Sequence, residues 1–474
     1  MFERRAKEAQ QSEFWIAREE IAAPRAAGFY RKLDATLQKL GFAAKVWELC
    51  QPVYAEARRG GRPGIDPVVY FKMLMVGFFE DLPSQRAIAA RCDDSRAIRE
   101  FLGYDLSEAT PEQSSFTVIR QRLPLEVIEA VHRVVLGMLR GHGLLRGRKL
   151  GIDSSVLEAN ASLRALEHRN TEESYWDYVR KLAAEAGVDP EDPQAVRRFD
   201  KQRPGRRTSN EEWQNPHDPD AKVGRTKDGA TDMIYKPEHV TDLESGAIVR
   251  AEVRLGDAGD TEELSERVAE AIGTLAEVCG EERLPQLGQE LAGDAGYFAL
   301  AEVAVLQEMG VRTVIADPRA GRRRKDLPEA DQAVRRRAQR ATKSASGKAL
   351  LRRRGEHLER SFCHVLDHGG CRRATLRGKD NLTKRYLGAV LAHNLSLFMR
   401  KVHGCGTPKQ WVAKGLTALL AAFYGRERRL QSRPRAALVW AQFFWPTLAH
   451  FNRFARSPLT NFQARRMLAF STRC

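Results

Sequence analysis

The seven residues KLGIDSS, 149–155, read as a short buried strand: Leu150 and Ile152 are apolar, Gly151 is small, and Asp153 supplies a carboxylate at the end. QELAGDAGY, 289–297, repeats the pattern, with a strand over Gln289–Gly293 that ends in Asp294. Ligands of α/β sheets gather at the carboxyl ends of strands, so acids in these two places are well sited for chemistry. Between them, Met233–Val240 and Ala247–Leu255 favour strand and flank a turn containing Gly246, which predicts a β-hairpin. Thr261–Val278 carries Leu264, Val268, Ala271, Ile272 and Leu275 at helical spacing. Ala299–Met309 reads as a helix and Val311–Ile315 as a strand. The order β, ββ, α, β, α, β describes a mixed α/β domain, assigned to 149–402.

Upstream, residues 1–148 read as mainly helical. Val68–Phe79 is an apolar helix after the Gly60–Gly64 turn, and Asp81-Leu82-Pro83 breaks it. Ser84 is an N-cap for Gln85–Cys92, Ser95–Leu102 ends at Gly103, and a further helix covers Ser115–Leu123. Such a run of short helices is compatible with a helix-turn-helix. Within the α/β region, the polar stretch 162–228 reads as an insertion or mobile segment with one amphipathic piece, Tyr175–Ala186. Lys348–Leu366 and Leu382–Val402 read as helices, and 403–474 is a helical, basic and aromatic tail.

Composition narrows the class. Hydrophobic residues make up 42% and aromatics 8% of 474 residues, enough for a packed core and too much for a mainly disordered chain. The longest apolar runs, such as 416–424 and 436–445, are half of the roughly 20 residues a bilayer span needs. No apolar signal segment is read near Met1, and seven scattered cysteines do not form a secreted disulfide framework, so a cytoplasmic setting is expected. The 78 Lys and Arg against 62 Asp and Glu give a net charge of +16, which points to a polyanion, with nucleic acid first. The excess is concentrated. Residues 319–354 hold 14 basic and 3 acidic groups, a local net of +11. A patch for the phosphate backbone explains that density better than a merely solvated face.

A third acid joins the two at the strand ends. Glu359 in GEHLERSF borders the apolar stripe of Leu358, Phe362, Val365 and Leu366. Three carboxylates suit hard divalent cations such as Mg²⁺ or Mn²⁺. Two such ions roughly 3.5–4 Å apart promote phosphoryl transfer. Strand-end aspartates are also ordinary caps and turn residues, and spacing alone leaves both readings open.

A family resemblance weighs between them. RPGIDPVVYFKMLMVGFFEDLPSQRAIAARC and FLGYDLSEATPEQSSFTVIRQRL, then GIDSSVLEANAS, YKPEHVTDLESGAIVRAEVRLGDAGDTEEL, LAGDAGYFA and GKALLRRRGEHLERSFCHVLDHGGCRRATLRGKDNLTKR, occur in that order across about residues 60–400. Together they resemble the DDE transposases of bacterial insertion sequences. The resemblance implies an RNase H-like (retroviral-integrase-type) core after a helical amino-terminal domain that binds the element's ends. It implies Asp153, Asp294 and Glu359 as catalytic acids holding two Mg²⁺ or Mn²⁺ ions. It also implies cleavage at terminal inverted repeats, strand transfer to target DNA, and a homodimer or higher oligomer on DNA near the nucleoid, with no membrane. Arg354 would be the basic residue upstream of the glutamate that meets DNA. The family often has Tyr, Lys and Lys where this chain has Leu351, Leu366 and Ala295.

Arg322, Arg323, Arg324 and Lys325 follow the strand Val311–Ile315 and are read as DNA contacts, with Arg372, Arg373 and Arg377 extending the patch. His239 on the hairpin is an auxiliary candidate. Cys363, His364, His368 and Cys371 hint at zinc, but Gly369-Gly370 ends the helix and paired Cys elements are lacking. Trp176, Trp213, Trp440 and Trp445 are candidates for base stacking, with core packing as the default. Two other readings fit the same basic surface: a catalytically inert DNA-binding protein derived from a transposase, and an RNase H-like nuclease without strand transfer.

Overall fold

In the computed structural model of this chain, residues 24–56, 64–204, 209–280, 288–320, 327–415 and 417 are described. The 149–155 stretch forms β1 (Lys149–Ser154) at the centre of a mixed sheet. The other strands of that sheet are β2 (Leu157–Glu158), β5 (Lys222–Arg225), β6 (Thr231–Asp242), β7 (Ile248–Leu255), β8 (Glu290–Gly293) and β9 (Arg312–Ile315), while β3 (Glu167–His168) and β4 (Trp213–Gln214) pair with each other apart from it. The main path runs β2-β6-β1-β8-β9, with β5 and β7 also paired to β6. The hairpin β6–β7 is antiparallel, as is β1–β6, while β1, β8 and β9 are parallel. The fold is therefore mixed α/β around a mixed sheet.

Alternation along the strands sorts side chains to two faces. One face carries Leu150, Ile152, Leu291 and Ile315. It packs on Leu264, Val268 and Leu275 of α10 (Leu264–Cys279), on Val303 and Leu306 of α11 (Leu300–Glu308), and on Leu136 and Leu139 of α7 (Leu125–Gly141). Each such fully buried aliphatic side chain contributes about 1.5–3 kcal/mol. The other face carries Ala292 and Val314, covered by Leu350 of α13 (Ala345–Phe362). Gly151 is on this second face. A Cβ there would lie 2.7 Å from Leu243 and 3.1 Å from Leu358, so only glycine lets α13 close onto β1.

The first helices are α1 (Ala27–Lys39), α2 (Phe42–Glu56), α3 (Pro67–Phe79), α4 (Gln85–Asp94), α5 (Arg96–Leu102) and α6 (Gln113–Arg122). Local signals set their ends. The Ser84 hydroxyl accepts from Ala87 N at 3.1 Å, and Gly103 terminates α5 in the left-handed region. α3 is apolar almost all round, and such a helix must be enclosed. It packs against α14 (Lys379–His403), so closely that a Cβ on Gly388 would lie 2.8 Å from Leu74. Arg120 Nε donates to Asn381 at 2.9 Å across the same junction. The expected boundary at 148/149 is thus a change of secondary structure within one compact unit that ends at Pro408.

One expectation changes. The polar stretch 162–228 is folded over its described residues. Its α8 (Tyr175–Glu185) packs on Trp213, whose ring meets Tyr175 edge-on at 5.3 Å, and on α9 (Pro193–Gln202). Buried Asp200 accepts from Tyr175 at 2.9 Å and pairs with Arg203 at 2.8 Å. The basic run, for which no element is read from the sequence before Lys348, contains α12 (Glu329–Lys343), a helix resting on Val334 and Ala338. Among the described residues no helix is long and apolar enough to cross a membrane.

Buried histidines hold α14 to the sheet. Asn394 bonds both backbone groups of Ile248 (3.0 and 2.9 Å) and donates to His132 Nε2 at 3.0 Å. Burial depresses His132 to about 4 and His393 to about 3, against an ordinary 6.5. Both rings stay neutral when folded and take protons near pH 6.5 once unfolded. Unfolding therefore binds protons below about pH 6.5, so this stabilisation is complete above that pH and declines as pH falls towards 4. Each ring should cost about 1–2 kcal/mol at pH 5 relative to pH 7. Denaturant unfolding at the two values measures it; equal stability would mean that the rings are charged or solvated in the fold.

Candidate active site at the strand ends

Asp153 and Asp294 come together because β1 and β8 are parallel neighbours in matched register. Gly151 stands beside Ala292, which brings residues 153 and 294 level two positions on. Strand alternation turns both aspartates to the α13 face. Asp294 is half exposed, and its carboxylate accepts from Gly296 N at 2.9 Å. Asp153 is more enclosed, with its Oδ1 accepting from Ser154 N at 2.9 Å. Burial raises the Asp153 carboxyl above its ordinary range, the nearby Asp294 adds to this, and Arg354 opposes it.

Arg354 sits between the two acids. Its Nη2 is 2.7 Å from Asp153 Oδ2 and 4.0 Å from Asp294 Oδ2, and its Nε donates to Ile152 O at 3.2 Å. The residue expected to meet DNA is here the counter-ion of the aspartate pair. Glu359 is on the same helix but exposed, next to buried Leu358. Among the described residues no group of three His, Cys, Asp or Glu side chains lies close enough to hold a metal ion. Thus Asp153, Asp294 and Arg354 are brought together and Glu359 is not joined to them. As oxygen donors side by side, the two aspartates suit a hard divalent cation.

His239 is corrected as an auxiliary group, because it is fully enclosed. The Ser361 hydroxyl donates to Leu358 O and faces His239 Nδ1 at 2.9 Å, so the ring nitrogen donates to it. Tyr386 OH lies 2.7 Å from Nε2, and Phe362 stacks on the ring at 4.2 Å. Burial holds this histidine neutral, well below its ordinary pKa. It anchors the end of α13 and has no access to a phosphate.

Arg372, Arg373 and Arg377 gather along the chain leaving Asp153. Arg372 Nη1 donates to Val156 O at 3.1 Å, Arg373 pairs with Glu158 at 3.7 Å, and Arg377 Nε donates to Asn160 O at 3.3 Å. Arg322, Arg323, Arg324 and Lys325 lie outside the described residues. Elsewhere in the basic run, Arg336, Arg337, Arg340, Arg352 and Arg353 are exposed on α12 and α13.

Sequence reasoning missed an ionic layer beneath the aspartates, on the α10 face. Ser154 pairs across the ladder with Glu238, which is 1% exposed. Tyr297, in the turn after Asp294, donates to Glu238 at 2.9 Å. Arg267 lies 2.7 Å from the same carboxylate, in an ion pair off hydrogen-bond geometry, and Arg254 lies at 3.7 Å. Asp260 accepts from the Ser154 hydroxyl at 3.0 Å and pairs with Lys236 at 2.6 Å. These contacts tie down the residue after Asp153 and the turn after Asp294. A signal existed: Lys236 and Glu238 alternate as charges within the hairpin strand, next to the apolar run Met233–Tyr235.

Residues 18–122 match the family described as "Transposase domain (DUF772)". No curated protein matches the chain. A solved structure, the Mos1 transposase paired-end complex with left transposon end, aligns over 66% of this chain and 82% of that chain at 11% identity, with a TM-score of 0.18. A superposition that loose does not decide the fold.

Proposed function

We propose that this chain, which carries a transposase domain over residues 18–122, is an insertion-sequence transposase of the DDE type. It would cut and join DNA at the element's ends on an RNase H-like core. The observation that carries the reading is the level pair Asp153 and Asp294, on one face at the ends of adjacent parallel strands. An RNase H-like core would present its first two acids in that way and its glutamate on a helix, as Glu359 is on α13.

Asp153 and Asp294 would hold Mg²⁺ or Mn²⁺, with Glu359 completing the set once DNA is bound. The ion would supply activation of a water or 3′-hydroxyl and charge stabilisation at the leaving oxygen. The chain's own part is positioning. Arg354 neutralises the aspartates until a phosphate arrives, then has a phosphate oxygen as an alternative partner in bidentate geometry. Exposed arginines of α12, α13 and the 372–377 segment would carry the backbone.

Replacing Arg354 tests this exchange. Arg354→Ala should raise the affinity of the DNA-free protein for Mn²⁺ by about tenfold, since a cation no longer competes for the carboxylates. Titration followed by electron spin resonance of free Mn²⁺ measures it; unchanged affinity would mean that Arg354 does not guard the pair. The overall reading is tested by incubating the protein with candidate end DNA and Mg²⁺, where joined products are expected. The separation of Glu359 from the aspartates keeps one second reading, an inert DNA-binding derivative, for which DNA would be bound and never cut under any divalent metal.

A further inference from the structure

The folded insertion contains a cleft that the strand-end chemistry does not use. It has a volume of about 510 Å³ and opens between α8, α9 and the turn at Leu163–Ala165. Such a volume falls within the roughly 300–1,000 Å³ of sites for small organic ligands. Trp176, Pro193 and Val196 make its apolar wall. Trp176 is partly exposed, and Tyr175 meets it edge-on at 5.6 Å and 81°. It therefore differs from Trp213, which is buried in the core of the insertion.

The rim is cationic. Arg164, Arg180 and Arg197 line it against one acid, Glu191. Arg180 pairs with Asp177 at 2.5 Å, whereas among the described residues Arg164 and Arg197 have no acidic partner. A partly exposed indole beside uncompensated guanidinium groups matches the two parts of a nucleotide: a π face for the base, and cations for its phosphates. The cleft is also connected to the strand ends by the chain itself. The segment from Val156 to Asn160 carries Arg372, Arg373 and Arg377, and Arg164 follows four residues later.

We infer that this cleft is a binding site for an unpaired nucleotide of a DNA strand, with the base on Trp176 and the backbone on Arg164 and Arg197. The inference rests on the reading of the chain as a DNA-processing protein and adds a single-strand site to it. A paired base cannot reach the indole, because its faces are covered by its neighbours in the stack. Unpaired DNA should therefore gain from Trp176, and duplex DNA should not.

The test uses the full chain and equilibrium binding of a fluorescent single-stranded oligonucleotide and of the corresponding duplex. Trp176→Ala should weaken single-strand binding by about tenfold, and by up to about a hundredfold if the base is fully stacked. Duplex affinity should stay within about twofold of wild type. Trp176→Phe should restore most of the single-strand affinity, because it keeps a ring. The paired change Arg164→Ala with Arg197→Ala should flatten the salt dependence of single-strand binding. Matching circular dichroism and melting curves separate these effects from misfolding. Equal single-strand affinity for wild type and Trp176→Ala, or equal losses for both DNA forms, overturns the site while leaving the transposase reading intact. Failure of wild type to bind either form overturns both.

Discussion

Asp153→Asn should lower DNA cleavage and joining by about 10³-fold or more, and leave DNA affinity equal to or tighter than that of wild type. The substitution keeps the shape of the side chain and removes the charge that a cation needs. A metal ion contributes several kcal/mol of charge stabilisation at a reacting phosphate, and each 1.36 kcal/mol is a factor of ten in rate. Binding should not suffer, because the lost group is an anion facing a polyanion. Asp294→Asn should behave alike, since the two acids stand level on adjacent strands. Gel assays of cut and joined products, run beside binding isotherms on the same DNA, check both halves. Equal cutting by wild type and Asp153→Asn would sink the catalytic assignment. Loss of binding together with cutting would instead mean that the strand ends serve to hold DNA.

Glu238→Ala should destabilise the fold by about 3–5 kcal/mol, because it takes from buried Arg267 its carboxylate partner, while Arg254 keeps Glu252 and Glu262. The side chains of Glu238, Arg267 and Arg254 are 1%, 4% and 7% exposed, so solvent screens little of the change. Tyr297 would also lose its acceptor, which loosens the turn that presents Asp294. Denaturant midpoints of wild type, Glu238→Ala and Glu238→Gln measure the effect. Glu238→Gln keeps an acceptor for Tyr297 and should recover part of the stability and of the activity. A change below about 1 kcal/mol for the alanine variant would mean that the arginines find water or other partners.

The parts of this fold that are legible in the sequence depend on residues close together in the chain. Ser84 caps a helix three residues on, and Gly103 ends another in a conformation that glycine adopts at little cost. Alternation in LGID and ELAGD marks two strands with an acid at the carboxyl end. The helix α12 escaped because its buried stripe is only Val334 and Ala338 within a run of arginines. That the stretch 162–228, read as an insertion or mobile segment, is folded was not legible for a related reason: its core joins Tyr175, Asp200 and Trp213, which are far apart in sequence.

Residue type and spacing alone determined where the carboxylates fall, which segments alternate, and that basic charge crowds into 319–354. Those properties follow from backbone periodicity and from capping, which act over a few residues. Tertiary structure decided which groups meet. Parallel pairing of β1 with β8 made Asp153 and Asp294 neighbours, and the fit of α13 over Gly151 delivered Arg354 to them. The same packing enclosed His239 and kept Glu359 at the surface. Each of these outcomes depends on strand order and on how a helix lies across a sheet, and therefore on contacts between residues from about 60 to more than 200 positions apart.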